Sequence, residues 1–241
     1  RALAGEELSL FVLTDGRSHR MLATAMDHKP IGEGNSGPNT GGMGVVAPHP
    51  KEDETLLRRL SREVVEPTIR GIAAERFRYR GVIFFGLMLT QEGPMLLEYN
   101  VRLGDPETQA ILPRLRGDLL PLLSATAAGT LGDTDPQWRD DVAVTVVAAS
   151  GGYPGAYKKG LPIAGLRAPT SRDALWENPQ RPIPFLAGVA LRDDGSFVTA
   201  GGRVLAVTGL GADAESARAE AYRRLDEIAF EGIYYRRDIP Y

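Results

Sequence analysis

The sequence predicts an α+β chain, an antiparallel sheet with flanking helices followed by a smaller α+β domain. Three observations predict it. Apolar runs recur in pairs joined by short turns, the mark of antiparallel hairpins. Stretches with apolar residues at helical spacing lie between those pairs. A polar, turn-rich, aperiodic stretch at residues 129–141 then divides the chain. We place the larger part at residues 1–132, a linker at 133–141 and the small domain at 142–241.

Residues 7–14 (ELSLFVLT) and 21–26 read as two strands joined through the turn Asp15-Gly16-Arg17-Ser18. A loop at 32–44 follows, with six glycines. Glycine lets backbone N–H groups approach and wrap an anion. The plain alternative is a flexible linker, against which Pro38, Asn39, Thr40 and Met43 supply specific turn chemistry. No Gly-Lys-Ser/Thr follows, so this is not a Walker loop. Residues 52–75 carry Leu56, Leu57, Leu60, Val64, Ile69, Ile72 and Ala73 at helical period, with Pro67 set to kink or split the helix.

Residues 82–89 form a continuous apolar run, as in a strand buried on both faces. The turn 90–94 leads into a second strand at 95–101. Alternation there puts Leu97, Tyr99 and Val101 on one face, suited to a core. Glu98, Asn100 and Arg102 share the other face. Hard oxygen ligands and a fixed cation in one row suit a divalent ion carrying polyphosphate. An exposed polar strand face is the competing reading. Asp105 then reads as an N-cap and Pro106 as the first residue of a helix through about 128, interrupted by Pro113 and Pro121. A cap needs no catalytic role, so Asp105 keeps a structural explanation too.

Beyond the linker, 142–149 is a buried strand. Short strands are expected at 187–191, 197–200 and 203–208. A helix from Asp213 to about 230 presents Ala214, Ala217, Ala221, Leu225 and Ile228 on one face, and 232–236 is strand-like. No repeat is present.

Composition narrows the function classes. The 241 residues are 43% hydrophobic and 24% charged, an ordinary globular balance. A net charge of −3 without a long basic run gives no default attraction to nucleic acid or an anionic membrane. With no cysteine there are neither disulfides nor thiolate-bound zinc, and His19, His28 and His49 are too scattered for a histidine metal motif. No apolar run reaches spanning length and no signal peptide opens the chain, so cytoplasm is the expected location. A start at Arg1 inside a strand-like pattern suggests that sequence precedes it.

Several of these residues carry a resemblance. DHK (27–29), GPNTGGMG (37–44), EYNVRLGDPETQ (98–109), GGYPG (151–155) and GGRVL (201–205) resemble the phosphoribosylamine–glycine ligase (glycinamide ribonucleotide synthetase) family of ATP-grasp enzymes, in order along essentially the whole chain. The glycine run is specific to the family, whereas Glu-x-Asn-x-Arg is shared across the superfamily. The resemblance implies an ATP-grasp fold and a purine-biosynthetic reaction. Glycine attacks the γ-phosphate of ATP to form glycyl phosphate. The amine of 5-phosphoribosylamine then displaces phosphate, leaving glycinamide ribonucleotide, ADP and phosphate. Such a site works by shielding and aligning anions, and needs no covalent nucleophile.

By the same resemblance Glu98 and Asn100 hold Mg²⁺ or Mn²⁺ with ATP, and Arg102 steadies the transferring phosphoryl group. Asp105, counted with Arg102 as catalytic, and Glu107 are supporting or glycine-site groups. Asp27, His28, Lys29, Pro38, Asn39, Thr40, Gly41 and Gly42 line the acceptor side. Many superfamily members add a metal-binding Glu on the preceding strand, where Phe84-Phe85-Gly86-Leu87-Met88 offers none. The family's N-terminal half is expected to be missing from this chain, which then reads as the C-terminal portion and turns over poorly or not at all by itself. Two alternatives stay open: another ATP-grasp ligase or biotin carboxylase relative, and a non-catalytic nucleotide-binding fragment.

Overall fold

A computed structural model describes residues 3–166 and 182–240. The strands are β1 (Glu6–Thr14), β2 (His19–Asp27), β3 (Pro30–Gly32), β4 (Ser36–Asn39), β5 (Gly44–Ala47), β6 (Gly81–Thr90), β7 (Gly93–Asn100), β8 (Leu115–Arg116), β9 (Gln137–Trp138), β10 (Val142–Ala149), β11 (Ile183–Leu186), β12 (Val189–Leu191), β13 (Phe197–Thr199) and β14 (Arg203–Gly211). The helices are α1 (Glu54–Leu60), α2 (Glu66–Ala74), α3 (Glu107–Ile111), α4 (Leu119–Ala128) and α5 (Ala214–Leu225). They sort into two compact units. One comprises Arg1–Met26 and Ala47–Arg139, the other Asp27–Val46 and Asp140–Tyr241. The glycine-rich loop therefore belongs to the second unit.

In the first unit the strand order is β2-β1-β6-β7, antiparallel throughout. Leu8, Leu10, Val12, Ile83, Phe85 and Leu87 point from one sheet face into a core closed by Leu60, Val64, Val65 and Ile69. Burying each such side chain contributes roughly 1.5–3 kcal/mol. The helix expected over 52–75 is present but broken as Pro67 requires. Residues Ser61–Val65 form a π-helical turn in which the Glu66 N–H donates to the Ser61 carbonyl, five residues back. Pro67 then enters α2 in its first turn, where its missing N–H costs nothing.

Three expectations are corrected here. The helix from 105 to 128 is two helices: α3 ends at Ile111, a 3-10 turn over Leu112–Arg114 carries Pro113, and after β8 and Gly117 (φ +91°) Asp118 starts α4 by accepting from the Leu120 N–H at 2.8 Å. Asp105 is not the cap of α3, whose N-cap is Pro106. The Asp105 carboxylate instead accepts from Gln109 Nε2 at 2.8 Å. Leu97, Tyr99 and Val101 are 44%, 50% and 73% exposed rather than core. β7 ends the strand order of its unit, and its ladder with β6 slips at Gly86/Leu87, so Leu97 has no partner across the ladder. A groove of ≈ 790 Å³ between α2 and β7 leaves that face uncovered.

In the second unit the order is β11-β14-β10-β5. Val144, Val146, Val147, Val204 and Val207 are buried there, and Thr145 pairs with Thr208 through a 2.7 Å hydroxyl contact. α5 is capped by Asp213 in a reciprocal box with Ser216 and buries Ala217, Ala221 and Leu225, as its sequence spacing requires. It ends at Leu225 rather than near 230. Residues 232–236 make a single bridge, Ala149 to Tyr234, instead of a strand. β11 was not anticipated.

Candidate functional site

Antiparallel registry places Ser9 opposite Gly86 and Gly86 opposite Glu98; likewise Phe11 faces Phe84, and Phe84 faces Asn100. Directly paired residues share a face. Glu98 and Asn100 therefore project together from the first unit's sheet, on the side away from the Phe85 core. Asn100 Nδ2 donates to Glu98 Oε1 at 3.2 Å. That bond engages the amide's NH2 and leaves its carbonyl oxygen as an acceptor on the same face as the carboxylate.

Gly86 explains how the pair has room. A Cβ there would stand 2.9 Å from Glu98 Cγ and 3.6 Å from its Oε1. The strand preceding Glu98 holds no carboxylate at that row because any side chain would occupy Glu98's space. Two adjacent hard oxygens suit Mg²⁺ or Mn²⁺, which take one or two protein ligands and complete their shell with phosphate oxygens and water. The residues present fit such an ion. Among the described residues no cluster of three His, Cys, Asp or Glu forms a self-sufficient metal cage.

Arg102 lies beyond the end of β7, is exposed, and donates through Nη1 to the Leu103 carbonyl at 3.0 Å. It is on the same short segment as the pair but outside the ladder. Asp105 is also exposed. Glu107, by contrast, is buried on the Glu98 side of the sheet, where Ser9 Oγ donates to its Oε1 at 3.1 Å. A Cβ on Gly104 would stand 2.3 Å from Glu107 Oε2, so the glycine makes room for that carboxylate too.

In the second unit, residues 28–44 form an ordered hairpin. His28 and Lys29 pair with its returning arm: His28 N to Gly44 O at 2.8 Å, Met43 N to His28 O at 2.9 Å, and Thr40 N to Lys29 O at 2.9 Å. His28 is buried with Nδ1 3.3 Å from the Gly44 carbonyl, so its ring faces the fold. Pro38 and Asn39 are exposed in β4 and Gly41 just past it, Asp27, Lys29 and Thr40 are half-buried and Gly42 is buried. Four amides of the run are already engaged. Thr40 and Met43 donate within the hairpin, Gly42 donates to Thr40 Oγ1 at 3.0 Å, and Gly41 donates to Tyr153 Oη at 3.2 Å. Those amides hold the loop rather than await an anion. At Gly44 a Cβ would meet Ile239 and the Thr145 carbonyl within 2.8 Å, so packing demands that glycine.

What fixes the hairpin went unseen in the sequence. Arg236, fully buried, donates to Pro30 O at 3.1 Å and Asn35 Oδ1 at 3.0 Å, and pairs two-pronged with Asp238 at 2.8 and 2.7 Å. Asp238 also accepts from Gly34 N at 2.8 Å. The guanidinium beside it holds the Asp238 carboxyl down at about 2. Tyr234 Oη donates to Ile31 O at 2.8 Å and Arg237 N to Glu33 Oε1 at 3.0 Å. The one available signal was two opposite charges two residues apart at the end of the stretch read as strand-like.

The family described as phosphoribosylglycinamide synthetase matches twice: its ATP-grasp (A) domain over residues 1–108 and its C domain over 143–241. A phosphoribosylamine–glycine ligase of Agrobacterium fabrum is 49% identical over 98% of this chain and 54% of its own length. One of Rhizobium meliloti is 47% identical with the same coverage. The chain thus spans about half the length of the curated relatives it matches. The crystal structure of phosphoribosylamine–glycine ligase from Thermotoga maritima superposes with a TM-score of 0.84 at 38% identity, covering 99% of this chain and 56% of that one. A biotin carboxylase from Campylobacter jejuni, at TM-score 0.62 and 14% identity over 97% of this chain and 48% of that one, shares the fold alone.

Proposed function

The chain belongs to the phosphoribosylglycinamide synthetase family, of which it carries ATP-grasp (A) and C domain sequence, and from that premise we propose that it supplies the metal, phosphoryl and acceptor residues of an ATP-dependent ligase joining glycine to 5-phosphoribosylamine. The observation that carries the reading is the outward pair Glu98 and Asn100, bonded to each other across from a glycine that leaves them space. Glu98 and Asn100 would hold Mg²⁺ or Mn²⁺, which when bound supplies charge neutralisation to the phosphates of ATP.

The chain's own residues do the rest. A glycine carboxylate is a poor acyl donor until phosphate replaces its oxygen as leaving group. Bringing it to the γ-phosphate sets two anions against each other, and Arg102, exposed just past β7, offers a fixed cation to the transferring oxygens. Asp105 and the buried Glu107 are carboxylates suited to an ammonium group such as that of glycine. Asp27, Lys29, Pro38, Asn39, Thr40, Gly41 and Gly42 contact the phosphoribosylamine side, and His28 shapes that loop from within. The assignment of 1–132 and 142–241 as separate domains, with 133–141 between them, belongs to the same proposal, as does a cytoplasmic location. No helix among the described residues is long and apolar enough to cross a membrane.

The test is ADP release by the full-length protein. Release that requires glycine and 5-phosphoribosylamine together, and ignores bicarbonate, supports the assignment. Release with bicarbonate, or with neither amine nor glycine, refutes it.

A further inference from the structure

Gly41 lies just past β4, and its N–H and its carbonyl are both held by side chains from distant parts of the second unit. Tyr153 Oη accepts from Gly41 N at 3.2 Å, and Arg203 Nη1 donates to Gly41 O at 2.5 Å. Neither side chain is loosely based. Arg203 begins β14, and its carbonyl accepts from Gly188 N at 3.0 Å. Tyr153 N donates to Ser150 O at 3.1 Å, and its ring lies edge-on to Tyr157, with centroids 6.5 Å apart. Two glycines make the grip sterically feasible. A Cβ on Gly41 would come within 3.0 Å of the Arg203 guanidinium carbon, and one on Gly202 within 2.4 Å of the Tyr153 ring.

We propose that Tyr153 and Arg203 are positioning residues for the substrate-binding loop, holding Gly41 so that the exposed β4 residues Pro38 and Asn39 present a preformed surface to the amine substrate. This deepens the proposed function and rests on it. The physical basis is that loop amides engaged internally cannot themselves bind the substrate, so recognition by residues 38–41 depends on loop shape, and shape there depends on two external side chains. A phosphorylated amine that must displace phosphate from an acyl phosphate gains from a rigid seat.

The experiment uses the full-length protein. The unaltered protein must first release ADP in response to glycine and 5-phosphoribosylamine; failure there sinks the underlying reading and leaves the variants moot. With that activity present, Tyr153→Phe, Arg203→Gln and Gly202→Ala are each expected to raise KM for 5-phosphoribosylamine at least about threefold, with KM for ATP and kcat changed by less than about twofold. The double variant Tyr153→Phe/Gly202→Ala should be no worse than the worse single one, since both act through one contact. A purely structural role predicts otherwise: a lower rate in proportion to folded protein, with every KM unchanged. That result, additive effects in the double variant, or an equal rise in KM for all substrates would overturn the proposal.

Discussion

Asp238→Asn isolates the staple that holds the glycine-rich hairpin. The substitution keeps size but removes the charge opposite Arg236, whose side chain has no exposure to solvent, and puts an amide NH2 where a carboxylate oxygen accepted. Two contributions can be separated. The carboxyl stands at about 2 in the fold against an ordinary 3.8, because Arg236 favours its ionised form. A depressed carboxylate contributes stability that is fully present above its unfolded value and fades as pH falls through the folded one. The window is therefore pH 4 down to 2, and the linkage is worth about 1–2 kcal/mol after allowance for solvent screening. Leaving a buried guanidinium without its counter-charge adds a further cost, so the total at pH 7 is about 3–5 kcal/mol. Urea unfolding at pH 7 and at pH 3 measures both. Asp238→Asn should be destabilised at pH 7 and should show a shallower loss of stability between pH 4 and 2 than the unaltered protein. A stability change below about 0.5 kcal/mol with an unchanged acid slope would refute the staple, being what an ordinary surface position gives.

Other perturbations address other parts of the molecule. Gly86→Ala places a methyl 2.9 Å from Glu98 Cγ and should weaken Mg²⁺-ATP binding roughly tenfold while ATP binding without metal is unchanged, as isothermal titration would show. Arg102→Ala should lower kcat more than it weakens ATP binding, because a cation acting on the developing phosphoryl charge matters most in the transition state; equal losses would count against that role. His49 is buried, and desolvation pushes its imidazole below the ordinary 6.5. Since the unfolded chain takes up that proton first, the stability this group provides is present above pH 6.5 and lost as pH falls below it. NMR titration should find His49 still neutral at pH 6.5.

Much of the fold was legible because burial writes itself into periodicity. β1, β6 and β10 are apolar runs whose ends the structure moves by two residues or fewer. The Glu98–Asn100 alternation survives because β7 pairs in register with β6 over those two residues. The same alternation misled at Leu97, Tyr99 and Val101: it says which residues share a face, not whether anything covers it, and a ladder slip with no strand beyond β7 left them exposed. The long helix after Asp105 breaks first at the 3-10 turn around Pro113 and stays broken through the left-handed Gly117, which together outweigh leucine spacing. Long-range polar contacts left almost no local trace. Glu107 on Ser9, Arg236 under the hairpin and Arg203 on Gly41 span 98, 201 and 162 positions, and each depends on which segments the fold brings together.

The central claim is that Glu98 and Asn100 together hold the divalent ion of a metal–nucleotide complex. The most direct measurement is Mn²⁺-dependent ATP binding by full-length Glu98→Gln, with thermal unfolding run alongside. The account predicts at least about tenfold weaker binding in the presence of Mn²⁺, no change in its absence and an unaltered Tm, since the carboxylate faces outward and not into the core. Mn²⁺-ATP affinity equal to that of the unaltered protein would contradict it.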